Sequence, residues 1–202
     1  MSLETIMRRM LGVHLGLSLI MLAAPNLAGE PPVYSAELLS LADKGDEQAL
    51  AKLLALAEGG HAQAQYDMGS HYLHTVKNVD EEIPRVISWH QKAAEQGVSH
   101  AQIDLAVSLN MSGKPWHDPV NALKWFYVGM ALVLKESPDG SQDRYAVFAA
   151  NNSFELAQRL SKEQVSEAGT SSRAWLDAHG ISAKEEASNL GTFLERHRPA
   201  NR

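Results

Sequence analysis

The chain has 202 residues, 45% of them hydrophobic and 21% charged, the balance of a folded protein rather than a disordered one. A net charge of −6, with no dense cluster of Lys and Arg, speaks against nucleic acid or an anionic membrane surface as a partner. Cysteine is absent, which excludes disulfides, thiolate metal sites and cysteine nucleophiles.

At the N-terminus, Arg8 and Arg9 precede an apolar run from Met10 to Ala24, followed by Pro25 and the small residues Ala28 and Gly29. A basic start, an apolar stretch of about 7–15 residues and a small-residue exit form the pattern of a secretory signal peptide. The run is shorter than the roughly 20 residues a membrane span requires. Glu4 is out of keeping with a basic leader, and translation from Met7 removes it. Residues 1–29 are therefore expected to be a signal peptide, cleaved after Ala28 or Gly29. The product is expected to be periplasmic or secreted, with no membrane insertion. Residues 30–34, with Pro31 and Pro32, form a linker, because proline resists helix on both sides.

From Ser35 onward the chain reads as helices punctuated by glycine, which ends helices because it enters the left-handed conformation without steric cost. Alanine and leucine are abundant, and no sustained alternation of β-branched and polar residues marks a strand. The expected helices are Ser35–Lys44, stopped by Gly45, and Asp46–Glu58, stopped by Gly59 and Gly60. Four more follow at about Ala62–His74, Glu82–Gln96, His100–Ser112 and Pro119–Leu134. A long helix from Asp143 to Leu160 precedes two whose starts carry capping boxes, Ser161 with Gln164 and Ser182 with Glu185. The last ends near Arg196, and residues 197–202 form a flexible tail.

The four central helices contain a repeat. Gly60-His61-Ala62-Gln63-Ala64-Gln65 matches Gly97-Val98-Ser99-His100-Ala101-Gln102, and Trp89-His90 matches Trp125-Phe126. Both matches fall about 36–37 residues apart, a period that signals stacked helix pairs. The connection near Thr75–Glu81 is the cheapest place for the one-residue difference. Within this frame, Ala64-x-x-x-Met68-Gly69-x-x-Tyr72 and Trp89-His90-x-Lys92-Ala93-Ala94-Glu95-Gln96-Gly97 resemble the two helices of a Sel1-like repeat. The second copy, Ala101-x-x-x-Leu105-Ala106 and Asp118-x-x-Asn121-Ala122-x-x-Trp125-Phe126, has lost the glycine, the tyrosine and the exit sequence.

The resemblance implies an all-α fold: a short α-solenoid of antiparallel helix pairs, Sel1-like and tetratricopeptide-like, with extra flanking helices. The repeat domain spans 35–136, with repeats at about 61–97 and 98–133, and residues 137–196 supply C-terminal helices packing on the array. The structural repeat positions are Ala64, Gly69, Tyr72, Trp89, Ala93, Gly97, Ala101, Ala122 and Trp125. The small residues let helices approach, and the two tryptophans fill the space between paired helices.

No catalytic chemistry is legible. Gly-x-Ser-x-Gly, Ser-x-x-Lys and Lys-Thr-Gly are all absent. His71 and His74 share a helix face but lack a third ligand, and His90 occupies an aromatic packing slot. Asp80, Glu81 and Glu82 read as a solvated acidic run in the inter-helix connection. No cofactor is expected. The sequons at Asn110 and Asn151 fall on helices and carry no weight.

The related tetratricopeptide geometry implies a concave face lined by Gln63, Tyr66, Ser70, His74, His100, Ile103, Val107 and Asn110, suited to another protein or peptide. The resemblance thus implies a protein-binding adaptor, scaffold or regulatory module in the cell envelope. The alternatives are an enzyme acting on cell-wall peptides or glycans, and a structural envelope protein that self-associates.

Overall fold

The computed structural model describes residues 32–196 apart from 76, 77 and 142. The expected signal peptide, the start of the linker and the C-terminal tail therefore lie outside the described residues. Tyr34–Arg202 form one unit. Among its described residues there are nine helices and no strand. They are α1 (Glu37–Asp43), α2 (Glu47–Glu58), α3 (Ala62–Thr75), α4 (Val79–Glu95), α5 (Ser99–Leu109), α6 (Pro119–Glu136), α7 (Asp143–Ala157), α8 (Lys162–Ala178) and α9 (Ala183–Arg196). No helix among the described residues is long and apolar enough to cross a membrane.

From α1 to α7 each helix packs on the next, and α1 also reaches α3. The turns between pairs are alike. Gly60 and Gly97 take φ of 92° and 90°, a conformation that side chains with a Cβ resist. Each turn is closed by the same backbone bond: His61 N–H donates to the Leu56 carbonyl (3.0 Å) and Val98 N–H to the Ala93 carbonyl (3.1 Å). A buried glutamine then ties each pair to the one before it. Gln65 Nε2 donates to the Ala57 carbonyl at 3.1 Å, and Gln102 Nε2 to the Ala94 carbonyl at 3.0 Å. These bonds satisfy carbonyls in the last turns of α2 and α4, which have no partner within the helix.

The copies differ where the sequence does. In the first, Gln96 of the exit sequence donates to Gln65 Oε1 at 2.8 Å. The second has no such exit, and Gln102 Oε1 is buried without a partner. The second copy also has a shorter first helix and a longer connection, residues 110–118. Asn110 caps α5, and Asp118 N–H donates to the Leu109 carbonyl at 2.9 Å, so α5 ends at Leu109 rather than Ser112. In the first copy α4 begins at Val79, earlier than Glu82, because the Asn78 side chain caps it. Asp80, Glu81 and Glu82 thus sit in the first turn of a helix, where negative charge is favoured, and not in a connection. Asp80 pairs with Lys114 at 2.5 Å.

After α6 the pattern of successive pairs ends. Helices α8 and α9 both fold back onto α6, which already contacts α5 and α7. The capping box at Ser161 and Gln164 starts α8, and Ser182 Oγ accepts from Glu185 N–H at the start of α9. Lys135–Glu185 (3.2 Å) and an Arg173–Glu186 pair link α9 to α6 and α8.

The small repeat positions Ala64, Ala93, Ala101 and Ala122 are fully buried at helix contacts. The two tryptophans part company. Trp125 is buried edge-on to Trp175 at 5.9 Å, whereas Trp89 is half-exposed with Lys92 Nζ 4.2 Å above its ring. Tyr72 is likewise a half-buried ring, tilted against His71 and covered by Arg85. The inter-helix filler of the first copy is instead His90, one residue on, matching buried Phe126. Replacing Trp125 by Ala is expected to cost about 3–5 kcal/mol and Trp89 by Ala under about 2 kcal/mol. Thermal melts of the two variants check this, and an equal loss at both would contradict the packing described.

Candidate functional site

The first helices of successive pairs, α3 and α5, stand beside α7, and a run of rings crosses all three. The Tyr66 and His100 centroids are 6.4 Å apart, and His100 meets Tyr145 edge-on at 4.4 Å. Helical spacing carries each ring along its helix: Tyr66 to Leu73 on α3, His100 to Val107 on α5 and Tyr145 to Phe148 on α7. The ring contacts bring these three helices together at Tyr66, His100 and Tyr145.

On these helices, three large apolar residues are left open. Leu73 and Phe148 are each 44% exposed and Val107 39%. The expected face residues divide accordingly. Val107 is open, and Tyr66, His100, Gln63 and Asn110 are half-buried. Ser70 is buried. Ile103 does not line a groove: it is 1% exposed, seated where Gly129 of α6 leaves room. A Cβ at 129 would lie 2.7 Å from Ile103 Cγ1. The sequence reading missed Leu73, Tyr145 and Phe148. The i, i+3 spacing of Tyr145 and Phe148 was the available signal, but no repeat match carries α5 onto α7.

Polar groups stiffen this side from beneath. Tyr66 Oη donates to Asp104 at 3.1 Å, and Tyr34 Oη donates to Asp67 at 2.9 Å. Gln63 Nε2 also donates to Asp67, at 3.0 Å. Burial pushes the Asp67 and Asp104 carboxyls above their ordinary range, against the lowering effect of these hydrogen bonds. Tyr66 is pushed upward by burial and then by the adjacent Asp104 charge. Two tyrosine–aspartate pairs thus fasten neighbouring units together, so Tyr66 is a structural residue as well as part of the surface.

His74 is exposed at the end of α3, and its role is shared with His71. Nδ1 of each lies 2.7 Å from a different oxygen of Asp43 on α1. Burial raises the Asp43 pKa, but the two histidine hydrogen bonds outweigh it and hold the carboxyl below the usual range. The pair anchors α1 to α3. Among the described residues no group of three His, Asp or Glu side chains is placed to hold a metal ion.

Behind Tyr66 lies His90, fully buried, with ring centroids 5.4 Å apart. Neither nitrogen has a hydrogen bond of acceptable geometry. It packs on Gly69, where a Cβ would come within 2.2 Å of the imidazole. Burial lowers its pKa from 6.5 to about 4, with only the Tyr66 backbone acting the other way.

Between pH 6.5 and 4 the unfolded chain therefore takes up a proton at His90 that the folded chain refuses. Its contribution is present above that window and is lost as pH falls through it, by roughly 3 kcal/mol in all. A His90→Phe variant, copying Phe126, is expected to gain on the wild type as pH falls from 7 to 4.5 in parallel thermal melts. A difference that stays constant with pH would mean that folded His90 titrates normally. Neither protein-family models nor curated proteins match the chain.

Proposed function

We propose that this chain is an exported binding module of the Sel1-like, tetratricopeptide-like type, which holds a segment of another protein against the side formed by α3, α5 and α7. The observation that carries this reading is the run of ring contacts Tyr66–His100–Tyr145 across α3, α5 and α7, with the exposed apolar residues Leu73, Val107 and Phe148 on the same three helices. Single exposed apolar residues are ordinary, whereas three on helices joined by ring contacts offer a partner several side chains to bury. Covering one such side chain fully is worth about 1.5–3 kcal/mol. The structural pairs beneath keep the helices in place, which lowers the ordering cost of binding. The leader pattern of Arg8, Arg9 and the run Met10–Ala24 supports action in the cell envelope or outside the cell.

The test is a crosslinked pull-down from the native host, with mass spectrometry of bait and prey, using wild type, Val107→Asp and Phe148→Asp. Both positions are open, so both variants should melt within about 1 kcal/mol of wild type in stability. The expected outcome is one reproducible envelope protein with the wild type, lost in both variants, and a bait beginning near Gly29 or Glu30. Undiminished recovery with both variants would overturn the proposed side, and an uncleaved cytoplasmic bait would overturn the export.

A further inference from the structure

A second feature lies away from that side, where α8 rests on the first half of α6. A cleft of about 290 Å³ is lined by Asp118 just before α6, by Val120, Asn121 and Lys124 from its start, and by Glu167, Ala168 and Ser171 from α8. Its volume is just below the roughly 300–1,000 Å³ typical of small-molecule sites, which suits a ligand of few atoms.

None of the three charged groups in the cleft is neutralised by an ion pair among the described residues. Lys124 is half-buried, with Nζ 4.0 Å above the Trp125 ring, and burial lowers its pKa. It makes no ion pair among the described residues, although Glu95 acts on it through space. Glu167 across the cleft has no cationic partner among the described residues. Asp118 accepts the Asn121 N–H at 3.0 Å through Oδ1 as the cap of α6. Opposite charges thus share one small cleft without meeting, and the Asn121 amide and Ser171 hydroxyl supply neutral donors and acceptors between them.

This composition selects among ligands. A simple anion is repelled by Asp118 and Glu167, a simple cation leaves Lys124 unmatched, and an apolar molecule leaves all three charged groups without a partner. A ligand that carries both charges satisfies both ends. We infer that the cleft between α6 and α8 binds a small zwitterion, a free α-amino acid or dipeptide, whose carboxylate meets Lys124 and whose ammonium meets Glu167 and Asp118. Such contacts are charge-assisted hydrogen bonds, the stronger kind.

The test is an NMR titration of the full chain with L-alanine and with L-alanyl-L-alanine, following the Trp125 indole N–H and the α8 amides. Saturable shifts at those positions are expected with at least one probe. The N-acetylated and the C-amidated forms of that probe should each bind about ten-fold or more weakly, the loss of one charged contact. Lys124→Met should weaken binding of the intact probe to the same extent. Glu167→Gln, at an exposed position, makes the same test without touching the core. Absence of a saturable shift with both probes, equal binding of the blocked forms, or unchanged binding by Glu167→Gln would overturn the inference. Shifts confined to Val107 and Phe148 would overturn it too.

Discussion

The constraint on which the C-terminal half depends is that α6 buries all but one narrow stripe of its surface. Ala122, Leu123, Trp125, Phe126, Val128, Ala131, Leu132, Val133 and Leu134 are all buried, and only a stripe through Val120, Lys124, Tyr127 and Met130 stays half-exposed. A helix of this kind needs neighbours on most sides. It has them in α5, α7, α8 and α9. The N-terminal half obeys a different rule, in which each helix is two-sided and leans on the next. Gln65 and Gln102 mark the joints between these units with the same hydrogen bond, and only the first joint has its second polar partner, Gln96.

Much of the architecture was legible because it depends on local signals. Glycine turns, the Ser161–Gln164 box and the recurring Ala-x-x-x pattern each act within a few residues, and the helices appeared where these placed them. The boundaries slipped where a side chain captured the backbone first. Asn78 started α4 early, and Asn110 with Asp118 closed α5 early. Neither event follows from hydrophobic period, since both rest on a single polar contact.

The candidate side was less legible, because exposure is a property of the assembled neighbours. Ile103 and Val107 stand one turn apart on α5, and nothing local says which is covered; Gly129, on another helix, decides it. Trp89 and Trp125 occupy matching places in the repeat, yet only the second has α8 above it to complete its burial. The cleft at Lys124 could not be read at all, since its two walls come from helices widely separated in the chain.

The crowding around α6 also bears on how this protein can change over evolutionary time. Arrays of stacked pairs lengthen by duplication, each new pair settling on the exposed flank of the last. Here the C-terminal flank is already occupied by α8 and α9, so a duplicated pair inserted after α6 has nowhere to dock without evicting them. Insertion at the turn through Gly60 meets no such obstacle, since nothing packs over it, whereas the turn through Gly97 lies against Trp175 of α8. Lineages that gain or lose units should therefore vary on the N-terminal side of α6 and keep the closing helices as a fixed terminus.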